Sequence, residues 1–256
     1  MSAHATPAQS RFRRPPPAPC PPGQQSDVLG YANGPEHDVA EAHPLPRGAA
    51  RALPATLRGV LLLVPPLLLA GLEIVHPQPD ENAQALMDVA TWFAGFHVIQ
   101  LVLTGCVALS VLLLADSYGC ANAWVTRLGI GVFLVFFSAY DAVAGIGTGL
   151  AMRTARDLSA AEQQAVFGVV KDWPAVGPPF ALSIVGTAGW VAAVGALALA
   201  ARRRRAPRRE WIFIGLAAVL LLGGHPFPMG TLAFGCFFIG ALLHELRGSR
   251  WPFSSS

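Results

Sequence analysis

The chain has 256 residues and a formal net charge of +3, with 53% hydrophobic and only 13% charged residues. Soluble domains carry about a quarter charged residues, so an ordinary water-soluble globule is excluded, and so small a net charge gives no ground for a nucleic-acid partner. Four cysteines, Cys20, Cys106, Cys120 and Cys236, form no CxxC and no pair on one extracytoplasmic loop, which argues against a disulfide framework or a zinc ribbon.

Residues 1–56 hold eleven of the 22 prolines, including Pro15-Pro16-Pro17 and Pro21-Pro22, and few large apolar side chains. Such a segment cannot bury enough surface to offset its ordering entropy, which predicts a disordered Pro-rich cytoplasmic tail. Arg13-Arg14 is not read as a twin-arginine signal, because no apolar stretch follows it closely.

Apolar runs come next. A bilayer core takes about 20 helical residues, and 57–75, 92–115, 127–151 and 180–201 each meet that length. The run 211–245 holds two further spans, 211–224 and 227–245, broken at Gly223-Gly224-His225-Pro226-Phe227-Pro228. The predicted fold class is an all-α integral membrane protein, a bundle of six transmembrane helices over 57–246 with a short cytoplasmic tail, 247–256. Pro65-Pro66 should kink the first span, since the rings remove two amide donors whose carbonyl partners neighbouring helices can satisfy.

Loop charges orient the bundle. Arg47, Arg51 and Arg58 precede the first span, Arg202, Arg203, Arg204, Arg205, Arg208 and Arg209 separate the fourth from the fifth, and Arg247 and Arg250 follow the sixth. The loop after the first span is acidic, with Asp80, Glu81 and Asp88. Both termini in the cytoplasm puts every basic cluster on the side that attracts it, and the arginine run is expected to contact anionic lipids there. Abundant Ala, Gly, Pro and Arg beside scarce Lys is the composition of a GC-rich bacterial genome, so the expected location is a bacterial inner membrane.

In the long third loop, Ser159-Ala-Ala-Glu162 reads as a capping box. It opens an amphipathic helix over 160–173, with Val166, Val169, Val170 and Trp173 at helical spacing. That helix either lies on the headgroups or forms a lid over a site beneath it.

Ionisable and polar groups inside spans are costly and therefore informative. At 1.5 Å per residue, His97 falls about 8 Å below the outer surface and His225 about 9 Å below it. His76 ends the first span near the same level, with Glu73 one turn beneath. His76-Pro77-Gln78-Pro79 and His225-Pro226-Phe227-Pro228 are both HPxP, each closing an outward-running span. His97, Gln100 and Thr104 share one face of the second span, and Ser138, Asp141, Gly145 and Thr148 one face of the third. Asp141, beside Tyr140, falls near the midplane, level with Thr104. Face to face, the stripes would make a polar ladder descending from His97 to Asp141. Gly129, Gly131, Gly145, Gly147 and Gly149 lie within apolar helices and read as close-packing positions, not as a phosphate loop. His244-Glu245 reads as a solvated helix end.

Three readings follow. The first is a non-catalytic membrane subunit or scaffold, without cofactor, in a homo-oligomer or with a membrane partner. The second is a proton- or substrate-coupled carrier or sensor, with Asp141 and Tyr140 reached through Gln100 and Thr104. The third is an outer-leaflet transition-metal or haem site on His97 and His225, joined by His76 or Glu73. The first is the expectation. No motif specifies an enzyme.

Overall fold

The computed structural model describes residues 53–77, 82–118, 123–173, 176–224 and 228–249. The tail 1–52, the acidic pair Asp80 and Glu81, Cys120, His225 with its HPxP neighbours Pro226 and Phe227, and 250–256 lie outside the described residues. Within them the chain is all-helical.

Helix α1 spans Ala55–Ile74 and runs through Pro65 and Pro66, both buried. Helix α2, Ala83–Tyr118, is 36 residues long. It starts nine residues before the predicted span because Asn82 caps it, its Oδ1 accepting the Ala85 N–H at 2.7 Å. Helix α3 spans Ala123–Tyr140, then widens into a π-helical segment, Asp141–Gly147, before α4, Thr148–Thr154, and a 3-10 turn, Ala155–Asp157. Helix α5, Ala160–Val170, follows. Helix α6 covers Gly177–Arg203, α7 Arg208–Leu220, and α8 Met229–Ser249.

Helix α6 ends in a Schellman turn: Ala206 N–H bonds Ala201 O and Arg205 N–H bonds Arg202 O, both at 3.0 Å. The turn forces Arg205 to φ 55°, a left-handed conformation usually left to glycine. Among the described residues, five helices can cross a membrane by length and composition: α1, α2, the composite Ala123–Asp157, α6 and α8. Helix α7, at 13 residues, falls short of the usual length.

Along the chain α1 packs on α2, α2 on α3, α6 on α7 and α7 on α8. Ser110 Oγ donates to Leu61 O at 2.6 Å, tying α2 to α1. Trp190 Nε1 donates to Ala217 O at 2.8 Å, tying α6 to α7. Between α3 and α6 small residues let backbones meet. A Cβ on Gly189 would lie 2.7 Å from Gly129 O, and one on Gly186 would lie 2.8 Å from Phe137 N. Trp190, fully buried, centres the main core, its ring 5.1 Å from Phe133 and 5.5 Å from Phe234. A separate, smaller core joins Leu86, Met87, Ala90 and Phe93 of α2 to Met152 and Ala155, with Phe167 and Val170 of α5.

Candidate functional site

Two polar clusters occupy opposite ends of the bundle. The first lies where α1 ends and α2 passes the π-helical segment. Glu73, His97, Gln100, Thr104 and Asp141 are all buried there. Gln100 Nε2 donates to Glu73 Oε1 at 3.0 Å, joining α2 to α1. The Glu73 carboxylate also lies against the start of α8: a Cβ on Gly230 would stand 2.9 Å from Glu73 Oε2. The N-terminal turn of a helix is a favourable place for negative charge.

His97 is held more tightly still. Its Nδ1 donates to Phe93 O at 2.7 Å, and since a carbonyl only accepts, Nδ1 must carry a hydrogen. Proton gain and loss therefore fall to Nε2, which faces Asp141 Oδ1 at 3.9 Å. That distance is beyond a direct hydrogen bond and suits an ion pair or a bridging water. The imidazole is clamped by rings, with Phe93 at 4.5 Å and Phe96 at 5.3 Å between centroids. Against the third span it fills the space a side chain would take. A Cβ on Gly145 would lie 2.2 Å from His97 Cδ2. Asp141 itself opens the π-helical segment, a departure from α geometry frequent at functional sites.

His76 joins this end, its ring edge-on to His97 at 5.1 Å and to Phe96 at 4.8 Å. Tyr140 is half-buried and packs on the Phe137 ring at 6.0 Å. Thr104, one turn beyond Gln100, is buried, and its hydroxyl has no hydrogen-bond partner among the described residues. The predicted ladder is thus rearranged. Asp141 sits level with His97, not with Thr104. Helix α2 begins at Ala83, so His97 lies fourteen residues inside it.

Helix α5 covers this end. The predicted capping box forms, Ser159 N–H and hydroxyl donating to Glu162 Oε2 at 2.9 and 2.7 Å. Its apolar face is Phe167 and Val170, docked on α2 and on Met152 and Ala155, while Val169 is 61% exposed. Trp173 reaches the π-helical segment, 3.5 Å from where a Cβ on Gly147 would be.

The second cluster lies where α2, α6 and α8 end and α7 begins. Glu210, fully buried, accepts from Tyr118 Oη and pairs with Arg247 Nη2 at 3.3 Å, and its Oε1 lies 3.1 Å from His244 Nδ1. Tyr118 stacks edgewise on His244 at 5.0 Å, and Arg204 Nε donates to Tyr118 O at 2.9 Å. Beside it, Arg58 pairs with Glu245 at 3.0 Å and donates to Ser117 Oγ. The expectation of a solvated end at His244 is corrected: His244 is part of an inter-helix network. The signal was Glu210, a lone acid amid six arginines just before an apolar run. Arg202, Arg203, Arg204, Arg205, Arg208 and Arg209 are all exposed, with Arg202 over the Trp211 ring at 5.5 Å.

For a metal or haem, the described residues include no group of three His, Cys, Asp or Glu side chains placed to hold an ion, and His225 lies outside them. Two surface grooves, of about 350 and 330 Å³, run between α1 and α8 and between α2 and α3. Neither is lined by a residue of the His97 centre. A scan against protein-family models, a search of curated proteins and a search of solved structures each return no match.

Proposed function

We propose that the chain is a six-span protein of a bacterial inner membrane, with both termini cytoplasmic, and that its buried acid–imidazole centre binds and releases protons as part of a coupled carrier or sensor. The carrying observation is the pairing of His97 Nε2 with Asp141 Oδ1 at 3.9 Å, with Nδ1 already committed to Phe93 O. This fixes one titrating nitrogen opposite one carboxylate, so a proton held between them has two adjacent sites. Helix association needs nothing so expensive: hydroxyls, amides and small residues suffice, whereas buried ionisable groups in a span mark function by default.

The topology rests on charge and length. Arg58, Arg127, the six arginines between α6 and α7, and Arg247 gather at one end, which the positive-inside rule sends to the cytoplasm. Helix α7 with the 3-10 turn Leu221–Gly223 rises about 24 Å, so the fifth crossing would finish beyond Gly224. The exposed arginines then meet anionic lipid headgroups.

A second reading, a membrane subunit or scaffold bound to a partner or a second copy, draws on the closed packing: neither groove is lined by Asp141. Infrared difference spectroscopy of the protein in lipid nanodiscs separates the two. A carboxylic-acid carbonyl band that titrates, disappears in Asp141→Asn and moves in His97→Gln is the expected result. A centre with no titrating carboxyl would leave the scaffold reading. Reporter fusions at the C-terminus, active only in the cytoplasm, check the orientation.

A further inference from the structure

The basic-end cluster contains a conflict that no placement of hydrogens removes. His244 Nδ1 lies 3.1 Å from Glu210 Oε1 and also 3.1 Å from Arg247 Nη2. An imidazole nitrogen either carries a hydrogen and donates, or is bare and accepts. With the hydrogen on Nδ1, His244 satisfies Glu210 but points an N–H at the N–H groups of Arg247. With Nδ1 bare, it accepts from Arg247 but turns a lone pair toward the carboxylate. A guanidinium stays charged and never accepts, so the choice belongs to His244.

We propose that His244 is a proton-binding site that exchanges Arg247 for a proton as the counter-charge of Glu210. In the neutral state Nδ1 is bare and Arg247 bridges His244 and Glu210. When the imidazole takes a proton, both nitrogens carry hydrogens, Nδ1 donates to Glu210, and the guanidinium is displaced toward solvent. The Arg247 side chain is 38% exposed and has room to leave, whereas Glu210 is fully buried and stays. One proton is bound, and the cluster keeps one cation against one carboxylate in both states. Tyr118, whose hydroxyl bonds Glu210 and whose ring backs His244, holds the carboxylate in place throughout.

The surrounding charges do not override this exchange. From α1, Arg58 is paired with Glu245 of α8 at 3.0 Å. From α2, Asp116 is paired with Arg127 at 3.1 Å. From α6, the Arg204 guanidinium is bonded to the Tyr118 carbonyl. Glu210 of α7 is the carboxylate His244 faces. The inference does not rest on the His97 centre.

The test is an imidazole nitrogen NMR titration of the full chain in nanodiscs, with His244 identified by the resonance lost in His244→Gln. The wild type should pass from a doubly protonated ring to the tautomer with its hydrogen on Nε2 as pH rises. Hydrogen exchange at the Arg247 guanidinium should be fast only in the protonated state. Removing the competing cation in Arg247→Gln should raise the proton affinity of His244 about tenfold, and Glu210→Gln should lower it by a similar factor. If Glu210→Gln does not fold, the sign of the Arg247→Gln shift alone decides. A ring that keeps one tautomer throughout, or a midpoint unmoved by Arg247→Gln, overturns the proposal. Asp141→Asn should leave this titration unchanged.

Discussion

The two ends of the bundle use the same residue types to opposite effect. At the His97 end, Gln100 donates to Glu73 and His97 faces Asp141. Rings and a glycine fix the imidazole in a single position. At the basic end, a single carboxylate oxygen gathers tyrosine, histidine and arginine, and Glu210 and Arg247 make opposite demands on His244 Nδ1. One of those donors reaches solvent. The lesson is that a buried acid becomes a fixed site or an exchangeable one according to how many donors compete for it and whether one can withdraw.

Four measurements break or sharpen that contrast. The largest effect belongs to Gly145→Ala, which drives a methyl to 2.2 Å from a ring that cannot move. We expect a loss of about 3 kcal/mol in thermal unfolding in detergent. Gly147→Ala, with nothing nearer than 3.4 Å, should be neutral or slightly stabilising. Equal effects from the two would mean that His97 is not clamped. Next comes Tyr118→Phe, which removes a hydrogen bond to a charged acceptor and should lower stability by about 1.5–3 kcal/mol. An unchanged melting temperature would remove Tyr118 from the Glu210 network.

Arg58→Gln breaks a pair whose side chains are 28% and 25% exposed. It should lower stability by at most about 1 kcal/mol, and by less in high salt. The smallest effect is at α5. The hydroxyl and the backbone N–H of Ser159 hold the Glu162 carboxyl below its ordinary range. A depressed carboxyl contributes stability that is present above its unfolded value and lost as pH falls through the folded one. The difference in α5 amide protection between the wild type and Ser159→Ala should therefore close in acid. A difference that persists in acid would mean that the cap does not depend on the charge.

Much of the helical layout was legible because lipid-length apolar runs need no tertiary information to be seen. The exceptions have physical causes. Residues 83–91 mix Gln84 and Asp88 with apolar positions and fail a hydropathy test, yet Asn82 caps them and Leu86, Met87 and Ala90 are buried against α4 and α5. The glycines of the third span read as packing positions. Three of them, Gly129, Gly145 and Gly149, do meet a neighbouring helix closely. Which of them touches an imidazole depends on helix rotation, and the π-helical segment alters rotation in a way no periodicity reveals. The Glu210–His244 contact joins residues 34 apart in sequence through a hairpin whose register is set by its packing.

At 36 residues, α2 is about 54 Å long, well beyond a hydrocarbon core of about 30 Å. Its first turns, with α5 docked on them, therefore stand in water if its centre lies in lipid. The small core of Leu86, Phe93, Met152 and Phe167 is then assembled by the hydrophobic effect, whereas the Trp190 core is assembled by packing alone. One chain would then fold in two solvents. Calorimetry should find the positive heat-capacity change of unfolding concentrated in the smaller core, so that urea and temperature loosen the cover over His97 before they reach the helices beneath it.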